Sequence, residues 1–77
     1  MYDKTVLYDG EQFEARHFFD VDSQQDGVDV YYSLNESYVG SIENITIPDE
    51  EDLEAVEKFD NTVAEWLREQ DVNYRLL

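Results

Sequence analysis

Three groups of residues have types and spacings that could do chemistry. The first is a run of oxygen donors, Asp20, Asp22, Gln24, Asp26 and Asp29. Within it Asp22-x-Gln24-x-Asp26-Gly27 matches the opening of a calcium loop, where alternate side chains meet the ion and a glycine allows the sharp turn. The match ends at the twelfth position, which holds Ser33 instead of a bidentate glutamate, and the flanks read as strands rather than helices. Asp20, Asp22 and Asp26 are therefore a candidate cation loop, with a solvated polar turn as the competing identity. The second group is His17, the single histidine. With no cysteine in the chain and no serine or acid spaced around it as in a triad, nucleophilic catalysis has no starting point. His17 is read as a residue at the edge of the core beside Tyr2, and neither an enzyme activity nor a cofactor is expected.

The third group is the acids. Asp and Glu number 20 against 5 Lys and Arg, a formal charge of −15. Between Pro48 and Asp71, Glu50, Glu51, Glu54, Glu57, Glu65 and Glu69 face only Lys58 and Arg68. In a helix four residues rise about 6 Å, so these carboxylates recur at intervals comparable with phosphates, which advance about 3.4 Å each along one strand of DNA. Such a surface is of the wrong sign to bind nucleic acid itself, since almost no Lys or Arg is present to replace counterions. It has the right sign for a protein whose own groove is built to take a line of negative charge.

The elements that must position these groups follow from periodicity. Leu53, Val56, Phe59, Val63, Trp66 and Leu67 share an arc of roughly 140° on a helix, which predicts one apolar face over about residues 49–71. Pro48 suits a first turn, and Asp49 is the expected N-cap, with Asp52 three residues on. Upstream the period is two. Asp9-Gly10 between alternating runs predicts a type I′ hairpin of strands at about 4–8 and 12–21, with Val6 opposite Phe13, Lys4 opposite Ala15 and Asp3 opposite Arg16. Phe13, Ala15, His17, Phe19 and Val21 should face the core, with Phe18 a misfit on the polar side. Residues 22–27 read as a surface connection. A second hairpin, strands at about 28–34 and 38–47 joined by a three-residue loop, would set Leu34 against Tyr38, Tyr32 against Gly40 and Val30 against Ile42, all of one parity on the core side. The expected fold is a single α+β domain over residues 1–77, a four-stranded, mostly antiparallel sheet from two hairpins covered by one C-terminal helix.

Composition narrows the function classes. A hydrophobic content of 42% with 14% aromatic residues argues for a folded core rather than an acidic disordered tail. The absence of cysteine removes a disulfide framework and a thiolate metal site. No apolar run near the start suggests a signal peptide or membrane span, and the charge disfavours anionic lipid, so a cytoplasmic location without membrane contact is expected.

In size, charge and lack of catalytic residues, the chain resembles the small acidic viral inhibitors that imitate DNA, of the anti-CRISPR and anti-restriction type. The resemblance rests on composition over the whole chain and on no motif. It implies a stoichiometric inhibitor inside a host cell that occupies the basic groove of a nucleic-acid-binding protein or complex. The residues expected to touch such a partner are Glu50, Glu54, Glu57, Glu65 and Glu69 on the helix and Asp22, Asp26 and Asp29 near the loop. Tyr31, on the polar side of its strand, is an aromatic anchor in this reading or a cross-strand packing residue in the alternative. Two other classes share the charge pattern: an immunity protein or antitoxin that captures a basic toxin, and a small domain adapted to high salt. The chain is expected to be a monomer or a homodimer, with the edge strands or Phe18 as contacts in the latter.

Overall fold

A computed structural model describes residues 2–70. Strands β1 (Asp3–Tyr8), β2 (Glu11–Asp20), β3 (Gln25–Tyr32) and β4 (Ser37–Glu43) are followed by helix α1 (Leu53–Glu69). The four strands form one antiparallel sheet in sequence order. Helix and sheet make the α+β architecture that the two periodicities imply.

The first hairpin has the expected register. Asp9 and Gly10 both take positive φ, 52° and 76°, as a type I′ turn requires, and Val6 pairs with Phe13, Lys4 with Ala15 and Asp3 with Arg16. The pairing extends to a hydrogen bond from His17 N–H to the Tyr2 carbonyl, 2.9 Å. The second half of the sheet departs from expectation. β3 begins at Gln25 rather than 28, so Asp26-Gly27 is ladder and not turn. The turn is Val21–Gln24, closed by Asp20 Oδ1 accepting from the N–H groups of Asp22 and Ser23. Gly27 sits opposite Phe18, and a Cβ there would meet Phe18 Cζ at 2.5 Å. Phe18 is thus no misfit: its ring covers a bare glycine on the outer side of the sheet.

A bulge between Val30 and Tyr31 resets the register of β3 against β4. Val30 pairs with Gly40, Tyr31 with Tyr38 and Tyr32 with Ser37, and Val28 takes Ile42. Leu34, expected in the core opposite Tyr38, lies in the turn at 83% exposure. Tyr38 is turned to the outer face. β4 also ends at Glu43, where Asn44 adopts φ 57°, and not at Ile47.

The core lies between the inner sheet face and α1. Tyr2, Val6, Phe13, Ala15, Val28 and Val30 from the sheet meet Phe59, Val63 and Leu67 from the helix, with Ile45 from the connection. α1 crosses the strands. Phe59 packs edge-on against Tyr2, just before β1, and Asp60 pairs with Lys4 on β1, whereas Trp66 lies against Gly40 on β4. Phe19 and Val21, expected inside, stand 55% and 75% exposed because they lie at and beyond the end of β2.

The start of the helix also differs from expectation. Asp52 is the N-cap, its side chain accepting from Ala55 N–H at 3.2 Å, while Asp49 caps a separate turn through Glu51 N–H at 3.0 Å. Pro48 is buried, and the four residues after it, Asp49, Glu50, Glu51 and Asp52, are all exposed. With nothing to pack, those four residues gain little from being helical. Leu53 itself, assigned to the apolar face, is 78% exposed.

Candidate partner-binding surface

The outward arc of α1 is built by the same phase that buries its other side. Phe59, Val63 and Leu67 recur every four residues and fix the helix against the sheet. At about 100° per residue, Glu54, Glu57, Glu65 and Glu69 then fall on the side diametrically away from them, within an arc of roughly 120° that also holds Lys58, Asn61 and Arg68. All four glutamates are exposed. Neither Glu54 with Lys58 nor Glu65 with Arg68 forms an ion pair within 4 Å among the described residues. Glu50 precedes the helix, in the exposed turn that Asp49 begins, so it extends the acidic surface beyond the N-terminus of α1 without belonging to its arc. Asp71, counted with the helix acids by periodicity, lies outside the described residues.

The aspartates of the expected loop cluster do not converge. Asp22 is exposed in the β2–β3 turn, but Asp26 and Asp29 lie within β3, three residues apart and hence on opposite faces of the sheet. Asp26 is on the inner face, where its Oδ1 lies 2.8 Å from His17 Nε2. Asp29 is on the outer face and accepts from Ser41 Oγ at 2.6 Å. Asp20 spends an oxygen on the turn's own amides. The candidate cation loop of Asp20, Asp22 and Asp26 is therefore not gathered, and among the described residues no group of three His, Cys, Asp or Glu is placed to hold a metal ion.

Tyr31 lies on the outer sheet face, half-buried, in a cluster that sequence reading only partly foresaw. The Arg16 guanidinium sits over its ring, 4.5 Å from the centroid, and the Tyr38 ring meets it edge-on at 5.5 Å. Glu14 fixes Arg16 from the side, receiving Nε at 3.0 Å and Nη2 at 3.2 Å. The hydrogen bond from Arg16 holds the Glu14 carboxyl below its ordinary range, and the same bond holds the guanidinium above its own. Tyr38 hydroxyl and Ser41 Oγ share a hydrogen bond, which links the second ring to Asp29. Tyr38 was assigned to the core by parity. The bulge at Val30/Tyr31 is what brings it outward, and strand alternation carries no signal of a bulge.

The helix glutamates on one side and Tyr31 and Asp29 on the other thus fall on two opposed sides of a thin slab with Cα extents of 32 × 30 × 19 Å. Asp22 lies in a turn and Asp26 on the inner sheet face. The cations do little to balance either side of the slab. Among the described residues Lys4 is engaged by Asp60, at 2.7 and 2.8 Å to its two oxygens, and Arg16 by Glu14, so neither cation pairs with the helix glutamates. A concavity of about 380 Å³ lies between the β4–α1 connection and the helix, lined by Ile45, Pro48, Lys58 and Phe59 among others, and His17 is not part of it. No helix among the described residues is long and apolar enough to cross a membrane. In comparisons with known proteins, no family, curated protein or solved structure matches the chain.

Proposed function

We propose that the protein is a non-enzymatic inhibitor that imitates the phosphate charge of a nucleic acid and blocks the basic groove of a DNA- or RNA-binding complex, such as a CRISPR effector or a nuclease. The observation that carries this reading is the outward arc of α1. Its glutamates Glu54, Glu57, Glu65 and Glu69 are exposed, outnumber the two cations of the same arc, and form no ion pair with Lys58 or Arg68 among the described residues. A charged helix face that served only solvation would be expected to pair its opposite charges at three- or four-residue spacing, which Glu54 with Lys58 and Glu65 with Arg68 do not do. Glu50 and Glu51 lengthen the charged track at the positive end of the helix dipole, while Glu65 and Glu69 lie toward its negative end, where acids cost stability instead of adding it. Acids kept at a cost to folding are expected where binding needs them. Capture by such a surface is steered by charge, so association should be fast and strongly salt-sensitive.

The test is capture of a partner from the host's lysate at about 0.1 M salt, where short-range charge contacts survive screening, followed by displacement with duplex or single-stranded DNA. Recovery of a nucleic-acid-binding complex that DNA displaces, and that is lost with Glu54→Lys, Glu65→Lys and Glu69→Lys together, supports the reading. A basic toxin that DNA does not displace would replace it with capture of a toxin by an immunity protein.

A further inference from the structure

The outer sheet face has a chemistry different from that of α1. Register places Asp3, Arg16, Asp29 and Ser41 in one row across the four strands, and Thr5, Glu14, Tyr31 and Tyr38 in the next. No element of the described chain covers this face, since α1 packs on the other. Two features set it apart from an ordinary solvated sheet surface. It carries aromatic rings, with Phe18 and Tyr31 half-buried and Tyr38 54% exposed. It also already contains a complete guanidinium seat made from its own residues: Arg16 lies on the Tyr31 ring while the Glu14 carboxylate takes two of its N–H groups. A ring face beside a carboxylate fork suits the planar, weakly hydrated guanidinium and does not suit the compact, strongly hydrated ammonium of lysine.

We propose that this face binds arginine side chains of a basic protein, with Tyr38 and Asp29 as the seat that a partner's guanidinium takes. Tyr38 stands beside Tyr31, its hydroxyl joined through Ser41 to Asp29, so ring and carboxylate are held in one hydrogen-bonded unit. The ring is presented to solvent by the bulge that displaces it from the inner face. Asp3 and Glu43 lie in the flanking positions of the same face and give it a net negative charge that the single Arg16 does not cancel. The occupant follows from this complementarity. An acidic, aromatic surface selects a cationic partner, and among cations it selects arginine. The inference rests on the reading of the protein as a binder of basic partners, and adds to it a second face with a preference that charge alone does not produce.

The experiment uses the full chain and two synthetic peptides of equal length and charge, one alternating Gly with Arg and the other Gly with Lys, titrated at about 0.1 M salt with amide chemical shifts and calorimetry as readouts. The arginine peptide is expected to bind roughly threefold to tenfold more tightly than the lysine peptide, and to move the amides of Tyr31, Tyr38 and Ser41. Tyr38→Leu should erase that preference and leave the lysine peptide's affinity within about twofold, while Tyr38→Phe, which keeps the ring, should retain most of it. Because Tyr38 is more than half exposed, both variants are expected to fold, which an unchanged thermal melt verifies. Equal affinity for the two peptides, or a preference that survives Tyr38→Leu, overturns the proposal and leaves the helix reading intact. Glu54→Lys, Glu65→Lys and Glu69→Lys together should weaken both peptides alike, and failure of both peptides to bind the wild-type chain would overturn both readings.

Discussion

The indole of Trp66 on α1 occupies the space that a side chain at Gly40 on β4 would need. A Cβ built on Gly40 would lie 2.8 Å from both Cη2 and Cζ2 of that ring. This contact is where the far end of the helix meets the far edge of the sheet, and it explains a glycine in the middle of a strand, where glycine otherwise weakens pairing. Gly40→Ala is expected to destabilise the fold by about 1–3 kcal/mol, the usual cost of overpacking, read as a lower midpoint in urea. If the clash with the indole is the cause, Trp66→Leu should lose less stability in the Gly40→Ala background than in the wild type, giving a coupling that two independent sites would not show.

The helix start offers a second test. Asp52 caps α1 through Ala55 N–H, and Asp49 caps only the preceding turn. Asp52→Ala should cost about 1 kcal/mol. Asp49→Ala acts on an exposed turn that no core residue depends on, and should stay within about 0.5 kcal/mol. Thermal melts of the two single variants decide between the caps, and a larger loss at Asp49 would return the helix start to the position that spacing alone suggests.

The difference between these two aspartates shows where sequence periodicity stops informing. The phase of α1 was legible because Phe59, Val63 and Leu67 are all required by the core. Its first turn was not, because Asp49 and Asp52 both have capping chemistry and only packing chooses between them. The register of the first hairpin was legible, since Asp9-Gly10 dictates the turn and β2 carries its apolar residues on alternate positions up to His17. The second was not, because one bulge at Val30/Tyr31 shifts every pairing beyond it. The bulge moved Tyr38 from an expected core position to the outer face, while a four-residue turn over 33–36, in place of the expected three-residue loop, took Leu34 out of the ladder and Gly40 from the cover of Tyr32. Of the expected binding residues, Glu54, Glu57, Glu65 and Glu69 share one arc of α1 as spacing implied, whereas Glu50 precedes the helix. The aspartates of β3 do not stand together, because nearness in sequence along a strand puts successive side chains on opposite faces.

A third expectation concerns alkaline pH. Tyr2 is buried against Phe59, and burial first, then the negative charges of Asp60 and Glu50, push its hydroxyl above the ordinary tyrosine value of 10.0. The folded state therefore favours the neutral phenol more than the unfolded chain does. Its contribution to stability is fully present below about pH 10, where both states hold the proton, and is lost as pH rises through the higher folded value. Urea midpoints measured from pH 8 to 11 should hold until about pH 10 and then fall, beyond the general decline caused by added negative charge. Tyr2→Phe should flatten the part of the fall that belongs to this residue. A Tyr2→Phe curve parallel to the wild type would place the alkaline sensitivity elsewhere.

The last prediction sets folding against binding on the helix itself. Glu65 and Glu69 are four residues apart on the exposed arc, toward the negative end of the helix dipole, in a chain of formal charge −15. Their mutual repulsion, their unfavourable position on the dipole and the field of the whole molecule all have the same sign. Replacing both with Gln keeps size and hydrogen-bonding capacity while removing charge, so Glu65→Gln with Glu69→Gln should stabilise the protein by about 1 kcal/mol at low salt. For a domain of this size that is roughly a 4–8 °C rise in Tm, and the gain should shrink as added salt screens the wild-type repulsion. The same double variant should slow association with a basic partner and flatten its salt dependence. Higher stability with weaker capture would mark these glutamates as residues retained for binding at the expense of the fold. Higher stability with unchanged capture would leave their cost to the fold without a compensating role on this face.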